Sequence, residues 1–345
     1  MIIQYHREIG DFDSYVLGGD LGGTNTKLGI AGIKNGTTTP LFMARFQTQT
    51  IGSLIPAIEE TLDYAKQKHG IETQDACFGV AGIVSPERDY CKLTNANWDV
   101  STKDIVAKIG LRSASLLNDF EAIGYGIEVL DMNNGRDILK LKPENRIVNG
   151  NRALMGAGTG VGKSILIYRK GTHIPIASEG GHMDFPAQNS YELELINFVK
   201  RYRGANQVSY EDIISGKGIE SVYMFVKERF PQTQCTKEIE QADDKVPVIA
   251  KYKNIDAACT ETFRLYAKFY GRCARNFVLD YIPRGGLFIA GGIAARHREI
   301  FTTEEFSYEF HNCDRQRKVL KEIPIYIVLN IDAGLFGACC YAAQA

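Results

Sequence analysis

Two stretches of this chain share one local plan, and that repetition constrains its fold more than any other feature. In "SYVLGGDLGGTNTKLGIAGIKNGTTTPLFMARFQT" an apolar strand over 15–19 runs into a glycine-rich turn over 20–25. A second strand covers 26–33, Asn35-Gly36 turns, and a third strand covers 39–47. Asn-Gly between apolar runs marks a tight hairpin, because both central residues of a type I′ turn need positive φ. In "NRALMGAGTGVGKSILIYRKGTHIPIASEGG" a strand over 152–156 meets a glycine-rich turn over 156–162. A strand over 163–168 comes next, Lys170-Gly171 turns, and another strand covers 172–178. Gly23 of the first turn and Gly158 of the second lie 135 positions apart.

The second turn, "GAGTGVGKS", has the look of a nucleotide P-loop, with Lys163 on phosphate and Ser164 on magnesium. A P-loop, however, must lead into a helix, whose free N–H groups hold the phosphates. After Gly162 the chain reads "KSILIYRKG", a short β-branched run ended by Arg-Lys-Gly. That is a strand in a hairpin, and Ala157 stands where the strict motif wants glycine. A hairpin can still grip phosphate, since successive glycines let backbone N–H groups converge into an anion nest. Thr159 adds a hydroxyl. The same logic applies to Gly22, Gly23 and Thr24, with Asp20 placed to hold a hydrated magnesium ion.

Between the two triplets helix and strand alternate. "IGSLIPAIEETLDYAKQKHG" has helical apolar spacing and a glycine stop, "DACFGVAG" is a strand, "TKDIVAKIG" a short helix, "SASLLN" a buried strand, and "DFEAIGYGIEVL" a helix with an acidic start. After the second triplet, helices are expected over 190–202, 209–230 and 256–282. A strand–turn–helix in "GGLFIAGGIAARHREIF", a strand "IPIYIVLN" and a helix "AGLFGACCYAA" close the chain. The result is a β-β-β-α-β-α unit on each of two halves. Polar stretches over 132–151 and 231–245 read as surface connectors.

With 345 residues the chain exceeds what one core comfortably holds, which also argues for two domains. A net charge of −1 provides no field to recruit nucleic acid or an anionic membrane. The eight cysteines show no C-x-x-C and no zinc spacing, so reduced thiols and a cytoplasmic protein are expected. No apolar run has the ~20 residues of a membrane span.

Three motifs, "DLGGTNTKLGI", "GAGTGVG" and "FIAGGIAAR", resemble the first phosphate, second phosphate and adenosine motifs of the sugar kinase–heat-shock chaperone–actin superfamily. More narrowly, "LTNANW", "LLNDFEAIGYGI", "SEGGHMDF", "VSYEDIISGKGI", "IPRGGLFIAGGI" and "AGLFG" occur in the order seen in bacterial-type glucokinases. The resemblance runs from about residue 15 to the end. It implies an α/β chain of two duplicated ribonuclease H-like βββαβα domains around a cleft, the actin-like ATPase fold. The small domain would comprise 1–129 plus 330–345, and the large domain 130–329.

The same resemblance implies ATP-dependent phosphorylation of the glucose 6-hydroxyl with Mg2+, and a homodimer. Asn118 and Asp119 of "LLNDF" would meet the sugar, with Asp119 as catalytic base. Glu179 and His182 of "SEGGHMDF", Glu211 of "VSYEDIISG" and Asn95 of "LTNANW" would bind other hydroxyls. Gly19, Asp20, Leu21, Gly22, Gly23 and Thr24, with Thr159 and Gly160, would take the phosphates, and Gly291 and Gly292 the adenine side. Asp20 would hold magnesium through water.

Blander readings stand beside these. Asp119 reads equally as a helix N-cap, His182 as a packing histidine, Glu211 as an acidic first helical turn, and Gly291-Gly292 as a plain strand-to-helix turn. "GGHMDFPAQNSYELEL" lacks the cysteines of the repressor/kinase (ROK) zinc motif, so no structural zinc is expected. "LNID" before "AGLFG" is less polar than the family pattern, and residues 1–15 lie outside it. Alternatives are a kinase for mannose, fructose or an N-acetyl amino sugar, a sugar-responsive regulator on the same fold, or an actin-like ATPase. The regulator would need a helix-turn-helix, for which there is no room before residue 15.

Overall fold

The computed structural model describes residues 1–94, 96–142 and 149–344. They form two compact units, one of residues 1–132, 172–177 and 330–345, the other of 133–171 and 178–329.

The first unit holds β1 (Ile2–Tyr5), β2 (Ser14–Leu21), β3 (Asn25–Lys34), β4 (Thr37–Gln47), α1 (Ile55–His69), β5 (Asp75–Val80), a small hairpin of β6 (Tyr90–Lys92) and β7 (Asp99–Ser101), α2 (Thr102–Ile109), β8 (Ser113–Asn118) and α3 (Asp119–Gly126). Its sheet runs β1-β4-β3-β2-β5-β8. The hairpin strands β2, β3 and β4 are antiparallel, whereas β5 and β8 lie parallel to β2. Asn35 and Gly36 both take positive φ, 51° and 73°, as the tight hairpin turn requires. Helix α1 stops at Gly70 (φ 68°), and the Ser101 side chain caps α2 by accepting from Asp104 N. Leu17, Leu28, Phe42, Phe78 and Leu116 are buried together at the centre, each worth about 1.5–3 kcal/mol of transfer free energy. The closing helix, Ala333–Ala342, crosses α3 so closely that a Cβ at Gly337 would stand 1.7 Å from Ala122 O.

The second triplet opens the other half. β9 (Ile138–Lys142) precedes β10 (Arg152–Ala157) and β11 (Val161–Arg169), and the strand that follows, β12 (Thr172–Ser178), has its residues 172–177 counted with the first unit. Helices α4 (Ser190–Arg203), α5 (Glu211–Ile214), α6 (Gly216–Val226), α7 (Gln234–Gln241), α8 (Lys245–Lys251) and α9 (Ala257–Tyr281) come next. β13 (Leu287–Ala290), α10 (Gly292–Arg296), α11 (Glu304–His311), α12 (Arg317–Glu322) and β14 (Ile325–Val328) complete the unit. Its strands lie in the order β11-β10-β13-β14-β9. β10 and β11 are antiparallel, while β13 and β14 run parallel to β10. Lys170 (φ 50°) and Gly171 (φ 92°) repeat the turn of the first half. Met155, Leu287, Ile289 and Ile327 from the sheet share one core with Tyr266, Phe269 and Phe277 of α9.

Three polar stretches are more ordered than their composition implies. Residues 1–15 contain β1, which pairs with β4 and buries part of Ile3. Tyr5 Oη meets Tyr64 Oη at 2.5 Å and His69 Nε2 at 2.9 Å. Within 132–151, residues 138–142 form an edge strand on β14, with Ile327↔Leu139 and Val328↔Ile138 in register. Within 231–245, Thr233 and Thr236 close a capping box that starts α7. In each case a few apolar residues find a neighbour that linear composition does not show.

Candidate active site

In the first unit three parallel strand ends stand side by side. Leu21 of β2 is opposite Val80 of β5, and Val80 is opposite Asn118 of β8. With strands ~4.8 Å apart, the turn after β2 and the residues after β8 are roughly 10 Å apart. Ligands of open α/β sheets bind at such carboxyl ends. Gly19 and Leu21 contribute from within β2 and are buried, Gly19 so tightly that a Cβ would meet Phe78 Cδ1 at 2.4 Å. The turn proper is Gly22, Gly23 and Thr24. Its carbonyls are tied down: Thr48 Oγ1 donates to Gly22 O (2.7 Å), Gln49 Nε2 to Gly23 O (3.1 Å), and Thr48 N to Thr24 O (3.0 Å). Gly22 N donates to Asn25 O at 3.0 Å, so the N–H groups of Gly23 and Thr24 are what an anion can use.

Two strands away, Asn118 caps α3, its Oδ1 accepting from Phe120 N at 3.0 Å. The cap is therefore Asn118 and not Asp119, although Asp119 Oδ1 also accepts from Phe120 N, at 2.9 Å. That bond fixes the direction of the Asp119 carboxylate. The cap orients Asn118 as well, leaving its amide N–H groups as the part suited to a hydroxyl oxygen. Asn95 lies outside the described residues.

Asp20, at the end of β2, shares a lysine with a second carboxylate. Lys27 Nζ is 3.7 Å from Asp20 Oδ2 and 2.9 Å from Asp332 Oδ1, and it donates to Ile331 O at 2.9 Å. Burial pushes the Asp20 pKa up; Lys27 opposes this and Asp332 adds to it. Lys27 and Asp332 were missed in the sequence. "LNID" offered a signal, an acidic residue directly before the closing helix, whose Gly334 packs beside Asp20, a Cβ there lying at an ordinary contact distance of 3.5 Å from Asp20 Cγ.

In the second unit the candidate residues gather at the start of β11. Gly156 of β10 pairs with Gly162 of β11 on one side and with Ala290 of β13 on the other. The hairpin 157–161 and the turn at Gly291-Gly292 thus leave neighbouring strand ends. Gly291 has φ 94°, and a Cβ there would stand 2.7 Å from Ala157 O. Thr159 is exposed at the hairpin tip, beside Gly160. Val161 N donates to Glu211 Oε2 at 2.9 Å, so Glu211 spends one carboxylate oxygen bracing this hairpin. The turn Gly180–His182 sits on the same residue, since a Cβ at Gly181 would lie 2.0 Å from Val161 O. Tyr210 N donates to Met183 O and Phe185 N to Val208 O, both at 2.9 Å, which draws the stretch after His182 beside the stretch before Glu211. Glu179 and His182 are exposed, with His182 Nε2 3.7 Å from Glu179 Oε2. The packing reading of His182 does not fit a side chain 61% exposed.

Lys163 and Ser164 lie inside β11, so no helix succeeds the glycine turn and the P-loop reading fails. The Lys163 side chain is buried, its ammonium 4.9 Å from the Tyr210 ring centre and 5.4 Å from that of Phe277. Burial raises the neighbouring Cys273 thiol to about 11, with the Lys163 charge opposing. Lys163→Ala therefore removes packing rather than a phosphate ligand. We expect a stability loss of about 2–3 kcal/mol by chemical denaturation, with kcat within about tenfold of the parent. A larger kcat loss in fully folded protein would restore the P-loop role.

Two α/β units, each with a mixed sheet and a glycine hairpin at its strand ends, define a member of the actin-like ATPase fold. The glucokinase family model matches residues 17–345, nearly the whole chain. A glucokinase from a Nostoc species is 32% identical over 345 residues, covering 95% of this chain and 99% of the relative. The chain belongs to the glucokinase family. Among solved structures, a glucokinase from an Antarctic psychrotroph aligns with a TM-score of 0.80 at 24% identity, over 97% of this chain and 100% of the other. A ROK family glucokinase from Streptomyces griseus, in complex with glucose and AMPPNP, aligns with a TM-score of 0.65 at 19% identity, over 96% of this chain and 100% of the other. Among the described residues no helix is long and apolar enough to cross a membrane.

Proposed function

We propose that this protein transfers the γ-phosphoryl group of ATP to the 6-hydroxyl of glucose, with Asp119 as the general base. The observation that carries this reading is the register Leu21↔Val80↔Asn118, which sets a glycine turn and a carboxylate at the same edge of one sheet, two strands apart. The glycine turn offers the N–H groups of Gly23 and Thr24 to phosphate, while Gly22 N–H closes the turn on Asn25 O. At the other end the Asp119 carboxylate accepts the hydroxyl proton as the oxygen bonds to phosphorus and ADP leaves. Asn118 donates to a sugar oxygen. From the second unit Glu179, His182 and Glu211 supply partners for further hydroxyls, while Thr159, Gly160, Gly291 and Gly292 serve the nucleotide. Little covalent chemistry is asked of the protein, and its work is positioning and charge stabilisation.

The residues near Asp20 suit magnesium. Asp20 and Asp332 are hard oxygen donors facing a single lysine, which leaves a net negative charge beside the turn. Among the described residues no group of three or more His, Cys, Asp or Glu side chains is arranged to hold a metal ion. An ion here would therefore lean on water and phosphate oxygens as well as Asp20. When bound, magnesium neutralises charge on the transferring phosphoryl group.

ADP release measured across a panel of hexoses, with and without magnesium, tests the reading. Turnover should require both glucose and the metal. Mannose, fructose and N-acetyl sugars should be used at least 100-fold less efficiently, because an unpaired buried polar group penalises the wrong sugar. Full-rate ATP turnover without any sugar would instead point to an actin-like ATPase, and an N-acetyl sugar as the preferred acceptor would reassign the substrate.

A further inference from the structure

Arg88 occupies the left-handed region at φ 58°, which a non-glycine residue keeps only when its surroundings hold it there. Helix α3 and strand β8 do the holding. The guanidinium forks onto Glu121, Nη1 to Oε2 at 3.1 Å and Nη2 to Oε1 at 2.6 Å. Glu121 is 6% exposed and stands in the first turn of α3, two residues past Asp119. Arg88 also covers the outer edge of β8, the last strand of its sheet. Leu116 N donates to Arg88 O at 2.9 Å, and Arg88 Nη1 donates to Leu116 O at 3.4 Å. Leu116 is two residues before Asn118. The guanidinium lies 5.4 Å from the Tyr341 ring centre, and that ring meets Tyr125 of α3 edge-on at 5.2 Å. Behind it Ser85 closes the turn: Ser85 O accepts from Arg88 N at 2.9 Å, and Ser85 Oγ accepts from Asp89 N and Tyr90 N at 3.1 and 3.0 Å.

One side chain thus grips the strand that ends at Asn118 and the helix that begins at Asp119. Asn118 Oδ1 and Asp119 Oδ1 both accept from Phe120 N, so the base is tied to the first turn of α3. We propose that Arg88 and Glu121 are positioning residues for Asp119, a clamp that holds the β8–α3 junction at the angle proton transfer needs. The inference rests on Asp119 being the base. Planar, two-point geometry is what the junction requires, and a lysine ammonium, a point charge, cannot reproduce it.

The test compares Arg88→Lys, Arg88→Ala and Glu121→Gln with Asp119→Asn in the full-length protein. Readouts are kcat, the KM for glucose, calorimetric glucose affinity and thermal unfolding. Misplacing a catalytic group by about 1 Å costs on the order of 100-fold, so folded Arg88→Lys should lose about 10- to 100-fold in kcat. Its glucose KM should stay within about threefold. Millimolar guanidinium chloride, against a potassium chloride control, should restore part of the kcat of Arg88→Ala along a saturable curve. If Arg88→Ala does not fold, Arg88→Lys and Glu121→Gln carry the test. Folded variants at the parental kcat, with Asp119→Asn inactive, would remove the clamp and leave the base in place. Parallel losses of stability, glucose affinity and kcat without guanidinium rescue would reduce the pair to packing. Asp119→Asn at the parental rate would remove the base, and the clamp with it.

Discussion

Asp119→Asn should lower kcat by roughly 10³-fold and leave the calorimetric affinity for glucose within a few-fold. The two effects separate because an amide keeps the size of the carboxylate and its acceptor oxygen but cannot take up the proton. Phe120 N, at 2.9 Å, still has an oxygen to bond, so the side chain keeps its place. Asn118 remains the cap of α3 through its own bond to Phe120 N, which predicts no loss of the helix and little change in melting temperature. Asp119→Ala tests the cap assignment separately: losing a cap typically costs about 1 kcal/mol, and with Asn118 as the cap the alanine variant should lose less. Single-turnover phosphoryl transfer alongside thermal unfolding distinguishes the cases. Unchanged transfer would mean that another group accepts the proton.

The largest stability loss is expected from Arg272→Ala. Arg272 is fully buried on α9 and forks onto Glu192 of α4, Nη1 to Oε2 at 2.6 Å and Nη2 to Oε1 at 2.9 Å. It also reaches Glu309 of α11, Nε to Oε2 at 3.1 Å, and donates to Pro186 O at 2.9 Å. Lys268 joins Glu192 at 2.7 Å. Removing the guanidinium leaves Glu192 with Lys268 alone and Glu309 with Arg275 at 3.7 Å, and breaking a buried pair of this kind costs about 3–5 kcal/mol. The loss should be partly recovered by adding Glu192→Gln and Glu309→Gln, because neutral amides carry a smaller desolvation penalty. Denaturant titrations of the three proteins measure both steps. Equal stability of parent and Arg272→Ala would show that the network contributes nothing.

The same network sets an acid limit. Burial by itself would raise the Glu192 pKa, but Arg272, Lys268 and the Gln188 amide together hold it at about 2. A carboxylate depressed in the folded state stabilises fully above its unfolded value of about 4.3. That contribution is lost as pH falls toward 2. Denaturant midpoints of the parent should therefore drop between about pH 5 and 3, and those of Glu192→Gln should drop less over the same window. Parallel curves would assign the acid limb to other groups. Pro186 and Gln188 belong to the segment just after the Glu179–His182 turn, so the network also anchors the chain behind those sugar-binding candidates.

Much of this arrangement could be read in the linear chain. The glycine turns are legible because backbone N–H groups can converge only where side chains are absent, and the strand after "GAGTGVG" because its residues are β-branched. The Asn35-Gly36 and Lys170-Gly171 turns are legible through their demand for positive φ. The connectors were harder. Residues 138–142 are a short Ile-Leu-Lys-Leu-Lys run inside a polar stretch and 234–241 are mostly polar; pairing with β14 places the first and the reciprocal threonine cap starts the second.

Residue types, local periodicity and motif order determined that this chain would form two α/β halves with a glycine hairpin in each. They also determined that Asp119 would start a helix, since each of these is set within a few residues by backbone sterics and side-chain patterning. The sharing of Lys27 by Asp20 and Asp332, the bracing of Val161 by Glu211 and the grip of Arg88 on Glu121 were decided by tertiary structure alone. Each joins groups from separate strands and helices, 33 residues apart for Arg88 and Glu121, 50 for Val161 and Glu211. The Asn118 cap, by contrast, is local, and there two neighbouring acceptors compete for one amide, so backbone geometry chooses between them. The second glycine hairpin shows both sides: its strand was visible in "KSILIYR", but that Lys163 turns inward under the Gly180 turn is a matter of packing.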